Sequence, residues 1–254
     1  MRRSRLEAPA ATDFLRPELA ARLAERFADI ARPTERVLEL GSTHGILRHA
    51  LAAIGRLPPV LIESDLTSAT LEKQGCCLVL DEERLPFKPA SFDAVLSVMA
   101  LHKLNDLPGA LSQIRLCLRP GGFFLAALPG GDTLHELRFA LAQAELASSG
   151  GAAARVHPSI DVRDMGALMQ RAGFALPMAD LDRIDVTYPD VLALIRDLRA
   201  MAETSLLVQA KDQPPLNRAL LQATQSAYVA NFGLATGRLP ASFDILFVIG
   251  WQPD

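Results

Sequence analysis

Three acidic residues stand at the ends of predicted β-strands and have the chemistry of a nucleoside-binding site. Glu39 lies in the loop of the first predicted strand, Asp65 follows the second, and Asp81 follows the third. Asp65 can accept hydrogen bonds from ribose hydroxyls, Asp81 from the adenine amino group, and Glu39 can orient an ammonium group. Each such charge-assisted bond contributes about 1.5–3 kcal/mol. One of these residues alone would be a turn former or helix cap, but all three in this order favour a nucleoside pocket.

The loop after the first predicted strand indicates which nucleoside is expected. It reads V-L-E-L-G-S-T-H-G-I and contains Gly41 and Gly45, with Thr43 where a dinucleotide fingerprint has its middle glycine. The Gly-Lys-Ser/Thr ending of a P-loop is also missing. S-adenosylmethionine fits better than NAD, because it has no pyrophosphate and is held by acidic residues. If φ is positive at Thr43, this β-branched residue costs about 1–2 kcal/mol, and we expect measurable but reduced cofactor binding.

His102 is the candidate catalytic residue. It follows the fourth predicted strand, so we expect it near the reactive end of the cofactor, as a general base or a substrate-orienting group. The alternative is a structural histidine that closes this loop. A two-histidine, one-carboxylate iron site is disfavoured, because no histidine pair has close ligand spacing. No metal site is therefore predicted.

Alternating apolar runs and helical patterns must position these residues. Apolar runs separated by helices predict βαβ units and a parallel sheet that is buried on both faces. Predicted strands span residues 36–40, 60–62, 76–80, 92–98 and 123–128, a weaker one 181–187, and a strong final one 243–251. Predicted helices span residues 17–30, 46–54, 67–75, 106–118, 132–147, 162–172, 189–201 and 216–231. The polar segment 209–215 is predicted to be a surface loop.

Composition and charge exclude several classes of function. Half of the residues are hydrophobic and the formal net charge is −3, so the chain can bury a large core and has no bulk attraction for nucleic acid. No apolar run reaches the roughly 18–20 residues of a membrane span. Three cysteines without a CxxC motif favour a reducing compartment. Arg2, Arg3 and Arg5 precede no apolar signal segment. We expect a bacterial cytoplasmic protein, or a mitochondrial matrix protein if the source is eukaryotic.

Motifs in the first half resemble the class I S-adenosylmethionine-dependent methyltransferases. Along residues 36–128 these are V-L-E-L-G…G, I-E-S-D, L-D-E-E-R-L-P-F, S-F-D-A-V-L-S and L-R-P-G-G. The resemblance implies a Rossmann-like α/β fold with a seven-stranded, mostly parallel sheet, helices on both faces, and added helices in the second half. It implies cofactor contacts at Glu39, Gly41, Ser42, Gly45, Asp65, Asp81 and Glu82. The narrower family described next has a histidine at the position of His102.

The second half resembles a narrower family. The stretches P-G-G-D-T-L-H-E-L-R at 129–138 and V-T-Y-P-D-V-L-A-L-I-R-D-L-R-A-M-A-E at 186–203 resemble the respiratory complex I assembly factor 5 family. That resemblance implies hydroxylation of an arginine on a complex I subunit. The pattern L-P-F…S-F-D…A-L-H…N-D-L-P-G-A-L is similar to the malonyl-carrier-protein methyltransferases of biotin synthesis.

One domain is expected over residues 1–254. Residues 36–128 are its predicted cofactor-binding core, residues 129–240 its helical additions on the acceptor side, and residues 243–251 its final strand. We expect acceptor contacts from the additions, with ordinary helix capping and surface pairing as the alternative. The candidate acceptor-side residues are Asp132, Glu136, Arg138 and Tyr188.

Three functions stay open at this point. The first is methyl transfer from S-adenosylmethionine to a protein side chain or a small carboxylate. The second is arginine hydroxylation with a role in complex I assembly, for which a complex I subunit would be the partner. The third is a non-catalytic scaffold, which is suggested by two departures from the assembly factor 5 family. The loop that contains Thr43 usually reads D-L-G-C-G-R-G in that family, and the position of Lys103, directly after the histidine, is usually tryptophan.

Overall fold

The computed structural model describes residues 13–72, 75–204 and 216–254. Arg2, Arg3, Arg5 and the predicted surface loop at 209–215 lie outside these ranges. The strands are β1 (Arg36–Leu40), β2 (Val60–Asp65), β3 (Cys76–Val79), β4 (Phe92–Val98), β5 (Leu118–Pro129), β6 (Ala175–Tyr188) and β7 (Leu239–Trp251). The helices are α1 (Leu15–Ala28), α2 (Ile46–Ala53), α3 (Leu107–Cys117), α4 (His135–Ser149), α5 (Val162–Arg171), α6 (Val191–Ala200) and α7 (Arg218–Phe232).

Within the described ranges, seven strands form one sheet in the order β3-β2-β1-β4-β5-β7-β6. The pairs among β1 to β5 are parallel, whereas β7 is antiparallel to both β5 and β6. The predicted seven-stranded, mostly parallel sheet is therefore confirmed. The strand order reverses between β1 and β4. In open sheets of this kind, ligands bind beyond the carboxyl ends of the strands at such a point.

Two hydrophobic cores lie on opposite faces of the sheet. One contains buried side chains of α1, α2, α4, α6 and α7, and the other contains those of α3 and α5. The strands read as continuous apolar runs because both faces are covered; β5, for example, is buried from Gly121 through Pro129. No described helix is both long and apolar enough to cross a membrane.

Several predicted elements differ from the structure; the fifth strand, for example, begins at Leu118 rather than residue 123. The helix predicted at 67–75 is only a 3-10 turn at Ser68–Thr70 among its described residues, although Thr67 caps it as expected. The carbonyl of Thr70 accepts the His44 N–H at 2.7 Å, so it is directed at the β1 loop. The final strand begins at Leu239 rather than residue 243, and the strand predicted at 181–187 extends over Ala175–Tyr188. These two pair from Tyr188–Leu239 to Ala175–Trp251, so tertiary pairing extended both of them.

Gly130, at the carboxyl end of β5, tests this packing. Its N–H donates to the Asp244 carbonyl at 2.9 Å, and an added Cβ would lie 2.3 Å from Leu246 Cγ. We expect Gly130→Ala to lower the free energy of unfolding in urea by about 1–3 kcal/mol through overpacking. Gly166→Ala is the matched control. It lies in α5 with open space around it, and it should stabilise the protein by roughly 0.5–1 kcal/mol. Equal effects of the two changes would contradict this packing.

Candidate cofactor-binding site

The loop after β1 is fixed by backbone hydrogen bonds to the neighbouring strand and turn. The N–H groups of Gly41 and Ser42 both donate to the Ser64 carbonyl at 2.8 Å. Gly41 and Gly45 have φ values of 77° and 62°, which explains glycine at both positions. The strain that we considered at Thr43 does not occur there. His44 has the positive φ instead, at 52°, and histidine is among the residue types enriched in this conformation.

Three carboxylates converge beside this loop. Glu39 of β1 lies opposite Glu63 of β2, and Asp65 follows two residues later on the same face. All three are buried, with at most 2% exposure. Glu63 is neutralised by Arg48, whose Nε donates to it at 2.8 Å. The first two acidic positions predicted from the sequence, Glu39 and Asp65, are therefore neighbours at one edge of the sheet.

Glu39 is the unusual member of this group. Among the described residues, its Oε2 atom is buried and has no hydrogen-bond partner. Burial, and then the nearby Glu63, raise the pKa of Glu39 to about 8, although Ser42 and Arg48 act in the opposite direction. The free protein therefore holds a proton on this carboxyl group near neutral pH. A cationic ligand would stabilise the ionised form.

The loop after β3 closes the other side of the site. The Leu80 N–H donates to the Asp65 carbonyl at 3.0 Å, and Glu82 is buried at 1% exposure. Asp81 is exposed, and its carboxylate accepts the Glu83 N–H at 2.9 Å, so it stabilises its own turn. Its contact with adenine stays a prediction. Thr67 donates its N–H to the Asp65 carboxylate at 3.4 Å.

Arg16, in the first turn of α1, is a site residue that the sequence did not indicate. It is buried, and its guanidinium donates to the Met201 carbonyl at 2.8 Å while its Nε has no partner among the described residues. We call the cavity between Arg16 and Glu39 the cofactor cleft. Its volume is about 10 Å³, and the other residues that line it are Gly41, Thr43, Ile46, Leu47 and Val98.

His102 belongs to a buried group centred on Glu203, which we call the Glu203 cluster. Glu203 Oε2 lies 2.9 Å from His102 Nε2, and Glu203 Oε1 accepts from Lys103 Nζ at 2.7 Å and from Arg16 at 2.5 Å. Burial alone would raise the pKa of Glu203, but Lys103, His102 and Arg16 together lower it below its usual range. Burial lowers the pKa of His102 to about 4 despite the opposing effect of Glu203. The cluster thus contains a carboxylate and a neutral imidazole.

The four predicted acceptor-side residues do not form one group. Glu136 is buried and accepts the Ser242 hydroxyl at 2.6 Å, so it joins α4 to β7. Asp132 is exposed, and Arg138 donates to the Thr133 carbonyl at 3.0 Å. Tyr188 is buried, and burial raises the pKa of its hydroxyl. Their contact with an acceptor stays a prediction.

The fold is that of a class I methyltransferase. A family model described as a methyltransferase domain matches residues 13–177, and the chain belongs to this family. The solved structure of phosphoethanolamine N-methyltransferase 2 from Haemonchus contortus, in complex with S-adenosyl-L-methionine, shares the fold with a TM-score of 0.54 at 18% identity, covering 92% of this chain and 52% of that one. A candidate methyltransferase from Bacillus halodurans has a TM-score of 0.61 at 16% identity, over 92% and 99% of the two chains.

Two groups of relatives are more similar in sequence. The mitochondrial arginine-hydroxylase NDUFAF5 of Danio rerio is 38% identical over 247 residues, which cover 95% of this chain and 76% of the relative. The malonyl-[acyl-carrier protein] O-methyltransferase of Methylovorus sp. (strain MP688) is 31% identical over 259 residues, covering 96% and 84%. Both resemblances noted in the sequence are confirmed.

Glu39 gives this site a testable pH dependence. Between its ordinary pKa of 4.5 and its raised value of about 8, the folded state keeps a proton that the unfolded state has lost. The free energy of unfolding therefore falls as pH rises through this window. We expect Glu39→Gln to remove this contribution, so that the variant gains stability relative to the wild type from pH 5 to pH 8 in urea titrations.

The control for this series is Glu25→Gln, a matched change at an exposed position of α1. The stability difference between this variant and the wild type should not follow the Glu39 trend. Parallel pH profiles of the wild type and Glu39→Gln would show that Glu39 titrates in the folded protein as it does in the unfolded chain.

Proposed function

We propose that the protein binds S-adenosylmethionine at the carboxyl edge of the sheet and transfers its methyl group to a protein side chain or a small carboxylate. The observation that carries this proposal is the pair of unpartnered, buried polar atoms in the cofactor cleft. Glu39 Oε2 and Arg16 Nε lack partners among the described residues, and both residues line one cavity. Arg16 would pair with the carboxylate of an amino-acid moiety, and Glu39 would lose its proton to pair with the ammonium group.

The remaining contacts follow the strand ends. Asp65 would accept the ribose hydroxyls, and the loop containing Gly41, Ser42 and Gly45 would pass close to the ligand. Asp81 and Glu82 would lie at the adenine end. These residue types suit a nucleoside without a pyrophosphate group, because they offer hydrogen-bond acceptors for hydroxyl and amino groups. Residues 36–128 would thus form the cofactor-binding core.

Cofactor binding requires the cleft to widen. A volume of about 10 Å³ holds no more than a single water molecule. Arg16 closes the cleft from the first turn of α1, where it is tied to Met201 and Glu203. The amino-acid end of the ligand would therefore have to displace this turn, or take Arg16 from its present partners. The proposed cofactor affinity thus depends on the Glu203 cluster as well as on the β1 loop.

The chemical demands of methyl transfer are small. When bound, the cofactor supplies a methyl group that is already activated by its sulfonium charge, so the protein mainly has to position the acceptor and exclude water. The buried Glu203 cluster, next to the cleft, provides a dry environment for this step. Helical segments between residues 129 and 240 would cover the acceptor, as proposed for Asp132, Glu136, Arg138 and Tyr188.

Arginine hydroxylation is the second candidate function. The observation in its favour is the 38% identity to a protein named as an arginine-hydroxylase, over nearly the whole chain. In this case the partner would be a complex I subunit, and the protein would act in a bacterial cytoplasm or, in a eukaryote, in the mitochondrial matrix. A non-catalytic scaffold that keeps the cofactor cleft is the remaining alternative.

Calorimetry with S-adenosylmethionine tests the proposed site. Replacing Asp65 by alanine removes the acceptor for the ribose hydroxyls, so we expect affinity to fall by roughly tenfold to a hundredfold, the equivalent of about 1.5–3 kcal/mol. Asp185→Ala is the control, because this residue is exposed on edge strand β6, at the other end of the sheet. No heat of binding to the wild type would contradict both enzymatic functions. An Asp65→Ala variant with unchanged affinity would contradict the assignment of the ribose site.

Mass spectrometry of candidate partner proteins separates the two reactions. In cells that lack this protein, methyl transfer predicts the loss of a methylene increment from the target, and hydroxylation predicts the loss of one oxygen atom. Complementation with the wild-type gene should restore the increment, whereas the Asp65→Ala gene should restore less of it. If neither mass changes in any partner, the scaffold interpretation is favoured and the proposed reaction is wrong.

A further inference from the structure

Two cavities extend from the Glu203 cluster towards the surface of the molecule. The outer cavity has a volume of about 260 Å³, and its lining combines aliphatic residues such as Leu137 and Ile195 with the charged residues Arg155 and Arg199. The inner cavity has a volume of about 50 Å³ and is lined by Met99 and His102. They are contiguous, because five residues line both of them. These shared residues are Leu134, Val156, His157, Leu198 and Glu203.

The inner cavity lies at the carboxyl end of β4. Met99 directly follows this strand and has a φ of 54°, a conformation that is uncommon for a residue with a side chain. The Met99 N–H donates to the Ala127 carbonyl of β5 at 2.8 Å, which fixes this turn against the sheet. The turn places His102 beside the strand-order reversal, next to the proposed cofactor cleft.

The proton positions on His102 follow from its partners. Glu203 receives hydrogen bonds from Lys103 and Arg16, and as a carboxylate it can only accept. The His102 Nε2 that faces it at 2.9 Å must therefore carry the ring proton. A neutral imidazole with a protonated Nε2 has a bare lone pair on Nδ1. This Nδ1 atom is buried and has no hydrogen-bond partner in the described part of the chain.

We propose that the connected cavities are the acceptor channel and that His102 Nδ1 removes a proton from an acceptor bearing an N–H or O–H group, with Glu203 as the positioning residue. This inference rests on the proposed methyl transfer and narrows its substrate class. A carboxylate acceptor has no proton to lose at neutral pH and needs no base. An unpartnered base at the inner end of the channel therefore selects for a protonated nitrogen or oxygen acceptor.

The proton and electron balance of this step is complete. The new bond from the acceptor atom to the methyl carbon forms with the acceptor's electron pair, while the bond from that carbon to sulfur breaks and leaves its pair on sulfur. The acceptor proton moves to His102 Nδ1 and then to water. Positive charge that builds up on the acceptor atom acidifies its proton, so a weakly basic imidazole is sufficient.

The charged and titratable groups around His102 bear on its protonation in different directions. Glu203 favours the imidazolium form, whereas Lys103 and His157 disfavour it. The His157 ring is 6.4 Å from the His102 ring, centroid to centroid, in an edge-to-face arrangement. Arg16 contributes through its contact with Glu203. Burial is the largest effect on the pKa of His102 and keeps the neutral ring as the resting form. Glu203 is placed to stabilise the imidazolium that forms when the proton is transferred.

Nitrogen-15 NMR of the wild-type protein tests the tautomer without requiring catalysis. We expect His102 at neutral pH to show a protonated Nε2 and an unprotonated Nδ1. Glu203→Gln should erode this preference, because an amide can either donate or accept. Glu25→Gln is the control, because the same chemical change at this exposed position of α1 leaves the Glu203 cluster intact. A wild-type ring protonated on Nδ1 would overturn the inference, whatever the stability of the variants.

The chemical stability of a transferred label tests the substrate class. The protein would be incubated with tritium-labelled S-adenosylmethionine and an extract of cells that lack it. We expect a label that survives mild alkali, as N-methyl and ether products do, and a His102→Gln variant that is roughly 10²- to 10⁴-fold slower at saturating cofactor. An alkali-labile methyl ester would overturn the substrate class. A complete lack of labelled product would contradict the proposed function itself, whereas a wrong tautomer would contradict this inference alone.

Discussion

The buried carboxylate of Glu203 is the interaction on which the functional region depends. It joins three segments that are far apart in sequence, because Arg16 lies in α1, His102 and Lys103 follow β4, and Glu203 follows α6. Burying one ion without a partner costs several kcal/mol, and removing one member of such a pair typically costs about 3–5 kcal/mol. The four side chains must therefore be buried together. Their assembly lies between the proposed cofactor cleft and the inner end of the proposed acceptor channel.

The sheet topology determines which acidic residues meet at the carboxyl edge. Parallel strands end at a common edge, so Glu39 and Asp65 meet although 25 residues separate them in the chain. The Ser64 carbonyl binds two consecutive N–H groups of the β1 loop, which fixes the loop relative to both carboxylates. Burial and the nearby Glu63 raise the pKa of Glu39, because a buried carboxyl group beside another carboxylate is disfavoured as an ion. A bound ammonium group would stabilise the ionised form of Glu39.

Much of the sheet was predictable from the sequence, whereas the helical half was less so. Strands β1 and β4 have the predicted bounds, because both are short apolar runs between clear turn signals. Strand β6 lies at an edge of the sheet and alternates between half-buried and exposed positions, so its apolar pattern was too weak to predict its full length. The 3-10 turn at Ser68–Thr70 depends on a hydrogen bond to His44, and local pattern does not reveal such a contact.

In the candidate site, too, some residues could be predicted from the sequence and others could not. Glu39, Asp65 and His102 were found because strand ends are visible in the sequence and the topology brings them together. Arg16 and Glu203 were missed, because Arg16 lies in α1 and Glu203 follows α6, both far in sequence from the strand ends, and only the folded chain brings them to Glu39 and His102. A positive φ was considered at Thr43 but occurs at His44, one residue later. Residue types alone do not determine the backbone conformation within a short loop.

A crystal structure of the protein with S-adenosylhomocysteine would test the central claim most directly. The account predicts the ribose hydroxyls on the Asp65 carboxylate, the ammonium group on Glu39, and the first turn of α1 displaced or Arg16 turned towards the ligand carboxylate. It also predicts that the thioether sulfur faces the inner cavity that His102 lines. A ligand bound elsewhere, or bound at this edge without contact to Asp65 and Glu39, would contradict the account.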